Sequence, residues 1–178
     1  VIAGTGIGPK HFGEIVGIMK AYMTRVGGGP FPTEQDNEMG IHLREKGGEF
    51  GSTTGRPRRC GWFDAVASKY SAELNTITQI NLTKLDVLSG LPALKIAVGY
   101  KLNGKILHSP PHSADDLGKL EVEYIEMPGW NEDISKYKTI SDLPKNARNY
   151  IKKIEELLER PITFIGVGMK RDEMIGNS

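Results

Sequence analysis

The spacing of apolar residues along the chain predicts three helices. Pro9 suits the first turn of a helix over residues 9–23. Its apolar residues recur at three- and four-residue spacing: Ile15, Ile18, Met19 and Tyr22. A second helix is predicted over residues 62–75, where apolar side chains share one face, and a third over residues 145–159, directly after Pro144.

Short apolar runs between these segments predict strands. They lie at residues 78–83, 94–101, 105–108 and 121–126, and in the segment "PITFIGVG". Asn103-Gly104 is a strong hairpin signal between two of them. The segment "RVGGGPFPTE" is too rich in glycine and proline for a helix and is predicted as a loop. This order of strands and helices indicates a single α/β domain with a β-hairpin extension.

Composition narrows the class of protein. The 178 residues are 38% apolar, which is enough for a core, and 23 basic residues nearly balance 22 acidic ones. The net charge of +1 gives no overall field that would attract nucleic acid or anionic lipid, so neither is expected as a partner. No apolar run is long enough for a membrane span. The single cysteine, Cys60, fits a reducing compartment, so we expect a cytoplasmic protein.

A predicted strand ends in Thr83-Lys84-Leu85-Asp86, and this ending is the first candidate site. In an α/β sheet, ligands bind beyond the carboxyl ends of the strands. A carboxylate such as Asp86 can accept parallel hydrogen bonds from guanine N1–H and its exocyclic amine, whereas adenine offers no such pair. The stem of Lys84 could cover the base while its ammonium points toward the ribose. A solvated strand end is the alternative.

The segment "EFGSTTGRPRRCGW", residues 49–62, is the second candidate site. Hydroxyls, arginines and flanking glycines make a loop rich in hydrogen-bond donors, which suits carboxylate or phosphate ligands. Gly51 and Gly55 allow the backbone to approach a ligand or to move as hinges. The alternative is a surface loop whose arginines are solvated or paired with Glu49. Arg58 and Arg59 flank Cys60 closely enough to lower the pKa of its thiol, but no partner base accompanies it.

Two glycine-rich segments complete the candidates. The amides of "TRVGGGPFPTE" can line a sugar or phosphate, although a tight turn with positive φ explains its glycines equally well. In "VGMKRDE", backbone groups of Gly166 and Gly168 can close on a flat base. The four histidines show no metal-ligand spacing, so no metal site is predicted.

Together these segments resemble the adenylosuccinate synthetase family of purine-biosynthetic ligases. The resemblance runs in the family's order through "AYMTRVGGGPFPTE", "EFGSTTGRPRRCGWFD", "LTKLDVLSGL", "MPGW" and "LPKNARNYIKKIEEL". It implies part of a P-loop-NTPase-like mixed sheet flanked by helices. It also implies GTP-dependent ligation of IMP and L-aspartate to adenylosuccinate in AMP biosynthesis, with Mg²⁺, by a homodimer whose neighbouring subunit completes the IMP site.

The resemblance also implies roles for individual residues. The loop that takes the aspartate carboxylates comprises Ser52, Thr53, Thr54, Gly55, Arg56 and Arg58. Arg56 additionally approaches the IMP ribose, Arg58 approaches the developing phosphate charge of GTP, and Val26 contacts the IMP sugar through its backbone. The guanine is bound by Lys84, Leu85, Asp86, Gly166 and Gly168. The chain reads Gly168-Met169-Lys170-Arg171 where the family usually has Gly-Pro-x-Arg, so base contacts there are less secure.

The family's phosphate loop, catalytic base and assisting histidine are not recognisable in this sequence. No Gly-x-x-x-x-Gly-Lys-Ser/Thr pattern occurs, and "GTGIGPK" has the wrong spacing. With no initiator Met, residues 1–178 are expected to be the C-terminal portion of a single-domain synthetase, inactive alone, with no catalytic or metal-binding residue of its own. The alternatives are a guanine-nucleotide-binding module without catalysis and a purely structural domain.

Overall fold

A computed structural model describes residues 2–176. The helices are α1 (Ile2–Thr5), α2 (Glu38–Gly47), α3 (Ala65–Leu74), α4 (Ala114–Leu117) and α5 (Lys145–Leu158). The strands are β1 (Val16–Lys20), β2 (Met23–Arg25), β3 (Arg59–Gly61), β4 (Phe63–Asp64), β5 (Gln79–Thr83), β6 (Leu91–Leu102), β7 (Lys105–Leu107), β8 (Glu121–Trp130), β9 (Ile162–Gly166) and β10 (Met174–Gly176).

The first sheet has the strand order β1-β5-β9-β10. Its first three strands run parallel, and β10 is antiparallel to β9. The pairing register places Lys20 opposite Thr83, so β1 and β5 end side by side. The carboxyl ends of parallel strands are the usual place for a ligand in such a sheet.

The second sheet is built on β6, which pairs with β4, β7 and β8. The β6–β7 hairpin turns at Asn103-Gly104, where both residues have positive φ, as the sequence predicted. Gly129 in β8 lies against the backbone of β6, because a Cβ there would fall 1.8 Å from the Leu91 carbonyl oxygen. A short antiparallel pair, β2 and β3, lies between the candidate glycine-rich and arginine-rich loops.

One continuous apolar core joins the sheets and helices. The α5 helix buries Ala147, Tyr150, Ile151, Ile154 and Leu158. Their three- and four-residue spacing gives the helix a single apolar face. The Tyr150 hydroxyl donates to the Ala21 carbonyl, so α5 is fixed to the segment that follows β1. The core thereby supports the edge of the sheet where the candidate site lies.

The mixed α/β class and the hairpin extension are confirmed. The predicted helices over 62–75 and 145–159 correspond to α3 and α5, and the five predicted strands are β5, β6, β7, β8 and β9. The predicted 121–126 strand is longer, because β8 continues to Trp130.

The predicted helix over residues 9–23 is wrong. This segment forms a short 3-10 turn at Pro9–His11 and the strand β1. Gly17 sits so close to Ile77 that a Cβ there would be 2.7 Å from its Cδ1. Pairing with β5 therefore outweighs the helical spacing of apolar residues, which cannot distinguish a short buried strand from a helix.

The α2 helix was not predicted, since its apolar face is weak. Its ends nevertheless carry recognisable signals. Asn37 caps the start, where its Oδ1 accepts from the amides of Met39 at 3.0 Å and Gly40 at 3.3 Å. Gly48 ends the helix in the left-handed conformation with φ of 61°. These two caps are the sequence signals that could have located it.

Candidate functional site

The candidate site begins at the carboxyl ends of β1 and β5. Thr83 donates its hydroxyl proton to the Met19 carbonyl at 3.1 Å, which joins the two strand ends. Lys84 follows with φ of 63°, a left-handed conformation that bends the chain into the 3-10 turn Leu85–Leu88. The predicted strand ending is therefore a built turn and not a solvated extension.

A buried carboxylate, Glu49, lies beside these strand ends. Its side chain is 1% exposed and accepts hydrogen bonds from Lys20 Nζ at 2.8 Å, Tyr22 Oη at 2.7 Å and Arg58 Nη1 at 3.0 Å. Lys84 Nζ lies 3.8 Å from Glu49 Oε1. We call these five residues the Glu49 cluster. It joins the end of β1, the end of β5 and the arginine-rich loop.

The position of Glu49 follows from the end of α2. Its amide donates to the Arg44 carbonyl at 2.8 Å, directly after the Gly48 cap. Gly47 must lack a side chain, because a Cβ there would lie 2.1 Å from the Tyr22 hydroxyl oxygen. The Gly47 carbonyl in turn accepts a hydrogen bond from Lys84 Nζ. The helix end thus supplies both the carboxylate and a backbone acceptor to the cluster.

The cluster keeps Glu49 ionised. Burial raises the pKa of this carboxyl, but hydrogen bonds from Lys20, Tyr22 and Arg58 outweigh burial and lower the pKa below its usual range. The pKa of Tyr22 is raised by burial and by the neighbouring Glu49 carboxylate, so its phenol stays protonated. Lys20, Arg58 and Lys84 all approach this carboxylate while their side chains are partly exposed, and Lys84 also acts on the nearby Asp86 carboxyl.

The predicted aspartate-binding loop projects from this cluster into solvent. Gly51 N donates to the Arg56 carbonyl and Gly55 N donates to the Gly51 carbonyl, both at 2.8 Å, so the loop closes on itself. Gly55 has φ of 64°, which favours glycine. The exposed residues of this loop include Ser52, Thr53, Thr54, Gly55 and Arg56. Within the loop, Thr54 Oγ1 accepts from the Arg56 amide at 3.4 Å. The anion-binding role of the loop stays a prediction.

Arg58 is anchored, unlike Arg56. Its amide donates to the Glu49 carbonyl at 2.9 Å, and its Nη1 donates to the Glu49 carboxylate. Its Nε is buried and has no hydrogen-bond partner within residues 2–176. The interpretation that loop arginines pair with Glu49 therefore holds for Arg58.

Asp86 lies on the 3-10 turn beyond Lys84. Its Oδ1 is buried and has no hydrogen-bond partner within the described residues. Burial raises the pKa of this carboxyl, against the opposing influence of Lys84 and Lys46. It lines a cavity of about 280 Å³ together with Lys46, Ser89 and Asn131. Leu85 is fully buried, so any contact of Leu85 with a nucleotide must come from its backbone.

The glycine-rich loop is held by an arginine. Arg59 Nη1 donates to the carbonyl oxygens of Gly27 at 3.2 Å and Gly29 at 2.7 Å, and its guanidinium also pairs with Glu34. Gly27 and Gly29 have positive φ, so the tight-turn explanation of these glycines is met. Val26 is 77% exposed, which leaves its backbone accessible. Its contact with the IMP sugar stays a prediction.

Gly166 lies against the Lys84 segment, and Gly168 lies against Glu173. A Cβ at Gly166 would fall 3.3 Å from the Thr83 Cα and 3.5 Å from the Lys84 nitrogen. A Cβ at Gly168 would fall 2.3 Å from the Glu173 carboxylate. The end of β9 therefore approaches the predicted guanine-binding turn closely, while the contact of Gly168 with a base stays a prediction.

Cys60 is buried on β3, and burial raises the pKa of its thiol to about 11. Arg58, as its proximity in sequence suggested, and other cations oppose this shift, but desolvation outweighs them. Cys60 is a core residue with no reactive thiolate.

The described residues form neither a metal-binding cluster nor a membrane-spanning helix. Within residues 2–176, no group of three or more His, Cys, Asp or Glu side chains is arranged to hold a metal ion. No helix in the same range has the length and apolar character that a membrane crossing requires.

Sequence reasoning missed most of the Glu49 cluster. Glu49 was considered only as a possible partner of loop arginines, and Lys20 was placed in a helix. A lone acid at the start of a donor-rich loop was the available signal. It could not reveal the cluster, because Lys20, Arg58 and Lys84 come from separate elements that only the fold brings together.

Comparison with known proteins identifies the family. A family model described as "Adenylosuccinate synthetase" matches residues 1–175. The adenylosuccinate synthetase of Carboxydothermus hydrogenoformans is 54% identical over 172 residues, which is 97% of this chain and 40% of that protein. The adenylosuccinate synthetase of Pelobacter propionicus is 53% identical over 175 residues, which is 98% of this chain and 41% of that protein.

A solved structure agrees with the sequence matches. The fully ligated adenylosuccinate synthetase from Plasmodium falciparum superimposes with a TM-score of 0.96 at 45% identity, over 99% of this chain and 43% of that chain. The present chain thus spans about 40% of the length of the curated relatives it matches. The chain belongs to the adenylosuccinate synthetase family.

Proposed function

We propose that this chain supplies the aspartate-, IMP- and guanine-recognising residues for GTP-dependent ligation of IMP and L-aspartate to adenylosuccinate. The observation that carries the proposal is the convergence of Arg58 and Lys84 on Glu49 at the carboxyl edge of the sheet. Family membership supports the reaction, and the donor-rich loop supports an anionic amino-acid substrate. The product pathway is AMP biosynthesis.

In the proposed reaction, the γ-phosphoryl of GTP moves to the 6-oxygen of IMP and GDP is released. The amine of L-aspartate then attacks C6, the C–O bond breaks, and the oxygen leaves with inorganic phosphate. The loop residues Ser52, Thr53 and Thr54 and the guanidinium of Arg56 bind the aspartate carboxylates, and Arg56 also approaches the ribose of IMP. Arg58 stabilises the charge that develops on the transferring phosphoryl group.

Guanine selection is assigned to the turn after β5. The carboxylate of Asp86 accepts from guanine N1–H and the exocyclic amine, for which its unpartnered buried oxygen is suited. Lys84 is held by the Gly47 carbonyl, so its methylene stem is fixed beside this turn. Leu85, Gly166 and Gly168 contribute backbone groups around the base.

No step is assigned to Mg²⁺ on this chain. Within residues 2–176 no group of three or more acids, histidines or cysteines is arranged to hold an ion, and Mg²⁺ is usually bound by one or two carboxylates together with substrate phosphates. We propose that the ligands for Mg²⁺ and for the GTP phosphates lie in a part of the protein outside residues 1–178.

We also propose that the chain is the C-terminal portion of a longer single-domain polypeptide that works as a cytoplasmic homodimer. The coverage of about 40% of its relatives supports this proposal. So does β1, an edge strand of the sheet that leaves the apolar side chains of Val16 and Ile18 exposed and its outer backbone groups open to pairing. On this proposal, the chain by itself has no ligase activity.

The test is adenylosuccinate formation from IMP, L-aspartate and GTP with Mg²⁺, followed by absorbance. The complete polypeptide should form product, the Asp86→Ala variant should require far more GTP, and the 178-residue chain alone should form none. Turnover by the chain alone would contradict the proposal that the ligands for Mg²⁺ and the GTP phosphates lie outside residues 1–178. GTP binding without turnover in the complete polypeptide would instead favour a guanine-nucleotide-binding module.

A further inference from the structure

The Glu49 cluster joins two segments that the proposed function assigns to different ligands. Arg58 belongs to the aspartate loop and Lys84 to the guanine-binding turn. Both approach the same carboxylate, Arg58 at 3.0 Å and Lys84 at 3.8 Å. Lys20 completes the cluster by hydrogen bonds to both Glu49 oxygens at 2.8 Å. A single buried charge therefore lies between the two proposed binding regions.

Removal of the Glu49 charge would leave the neighbouring cations without their common counter-charge. Three cations from three segments lie around one anion, and without it they repel one another in a partly desolvated site. A buried ion pair is weak evidence for net stability, because desolvation offsets much of its attraction. The ion pair still fixes the orientation of the Arg58 guanidinium. Glu49 is the acceptor for Arg58 Nη1, whereas the buried Nε of Arg58 has no acceptor within residues 2–176.

Glu49 itself has no room to contact a ligand. It is 1% exposed, whereas the Arg58 and Lys84 side chains are 32% and 30% exposed. The carboxylate lies beneath its cations, and the cations present their outer faces to solvent. This arrangement suits a residue that acts through its neighbours.

We infer that Glu49 is a positioning residue, which orients Arg58 and Lys84 so that aspartate and GTP are bound in a mutually compatible geometry. The inference rests on the proposed function. Glu49→Gln keeps the size of the side chain and removes its charge, so Arg58 loses its charged acceptor and Lys84 keeps only its hydrogen bond to the Gly47 carbonyl. The glycine-rich loop with Val26 is held by Arg59 and does not depend on Glu49.

The test is steady-state kinetics of the complete polypeptide with Glu49→Gln. We expect the KM values for L-aspartate and GTP to rise about tenfold and kcat to fall about tenfold, a loss typical of small misplacement of binding groups. The KM for IMP should change less than about twofold, in keeping with its separate contacts. Glu49→Asp, which retains the charge, should recover part of the loss.

Asp64→Asn is the matched control. Asp64 is also a buried carboxylate that accepts from a buried tyrosine, but it lies on β4 away from the predicted site residues. The control should lower stability and leave all three KM values unchanged. If Glu49→Gln behaves like Asp64→Asn, Glu49 has a structural role only and the inference fails while the proposed function stands.

A double-mutant cycle tests whether Glu49 acts through Arg58. The KM for L-aspartate in the double variant Glu49→Gln with Arg58→Ala should match that of Arg58→Ala alone. Fully additive effects would overturn the inference. If the unsubstituted polypeptide forms no adenylosuccinate, the proposed function fails. Calorimetry with GTP then still tests Glu49, because a Kd unchanged by Glu49→Gln contradicts its role.

Discussion

Two buried carboxylates, Glu49 and Asp64, share a similar burial and a similar partner. Glu49 accepts from the hydroxyl of Tyr22, and Asp64 accepts from the hydroxyl of Tyr100. Their pKa values are nevertheless shifted in opposite directions from the ordinary values. Burial raises the pKa of Asp64, and hydrogen bonds from Ala67 N and Tyr100 only partly offset it. The pKa of Glu49 is lowered, because cations outweigh its burial.

This difference in pKa indicates which of the two carboxylates lies in a candidate binding site. Asp64 caps α3, where its Oδ1 accepts from Ala67 N at 3.0 Å, and none of the ion pairs found among residues 2–176 includes it. This is a local structural role. Glu49 instead collects cations from three segments at the ends of parallel strands. Burial of a charge alone does not mark a site; convergence of opposite charges at a strand edge does.

The largest expected contrast comes from removing each carboxylate. Glu49→Ala leaves Lys20, Arg58 and Lys84 without their common partner, and should lower the free energy of unfolding by about 3–5 kcal/mol. Asp64→Ala removes a helix cap and should cost about 1–2 kcal/mol. Denaturant unfolding of both variants measures the difference. Equal losses contradict the assignment of the cations to Glu49.

A third acid, Asp86, extends the comparison to a carboxylate in which one buried oxygen, Oδ1, has no hydrogen-bond partner within residues 2–176. Asp86→Asn retains one acceptor and gains a donor, so it should weaken GTP binding about 100-fold, close to the value of one hydrogen bond to a charged group. Xanthosine triphosphate carries an oxygen where guanine has its amine, and should bind the variant better than GTP does. Calorimetric titration with both nucleotides is the measurement. An unchanged preference for GTP removes Asp86 from base recognition.

The two acids should also give opposite pH dependence of stability. Glu49 has a folded pKa below its ordinary 4.5, so its contribution is complete above pH 4.5 and is lost as the pH falls through the folded value. Asp64 has a folded pKa above its ordinary 3.8, so stability is lost as the pH rises from 3.8 through the folded value.

Unfolding free energies of the protein and of Glu49→Gln and Asp64→Asn, taken across the acid range, check this expectation. The destabilisation caused by Glu49→Gln should grow as the pH rises through the carboxyl range. That caused by Asp64→Asn should shrink over the window above pH 3.8. Parallel curves for the two variants would mean that the cations around Glu49 do not control its ionisation.

The smallest difference between the two regions is expected when the tyrosine partners of Glu49 and Asp64 are replaced. Tyr22→Phe removes one of several donors to Glu49 and should cost about 1 kcal/mol, whereas Tyr100→Phe leaves an oxygen of Asp64 unpaired and should cost about 2 kcal/mol. Thermal or denaturant unfolding resolves the two. A larger cost for Tyr22→Phe would indicate that the lysine and arginine donors to Glu49 are weaker than their distances suggest.

Some elements around the candidate site could be predicted from the sequence, and others could not. The strand ending at Thr83 was predictable, since a short apolar run is a local signal. The 3-10 turn that carries Asp86 was not predicted, and the guanine contact of Asp86 stays a prediction. The helix over 9–23 was a wrong prediction, because β1 depends on pairing with β5, about sixty residues away along the chain. The site's arginine-rich loop was recognised from composition and resemblance.

Glu49 was not recognisable as a central residue from the sequence. Its burial depends on the end of α2, a helix whose weak apolar periodicity conceals it. Its partners depend on the parallel pairing of β1 with β5, which aligns Lys20 with Thr83. A cluster formed by tertiary contacts between distant segments leaves no local pattern to detect.

The central claim is that one buried charge sets the positions of Arg58 and Lys84. A crystal structure of the Glu49→Gln variant beside that of the unsubstituted protein tests this claim most directly. The account predicts that Lys84 Nζ and the Arg58 guanidinium both move away from residue 49, while Asp64 and Tyr100 keep their contact. Arg58 and Lys84 side chains that stay in place in the variant would contradict it.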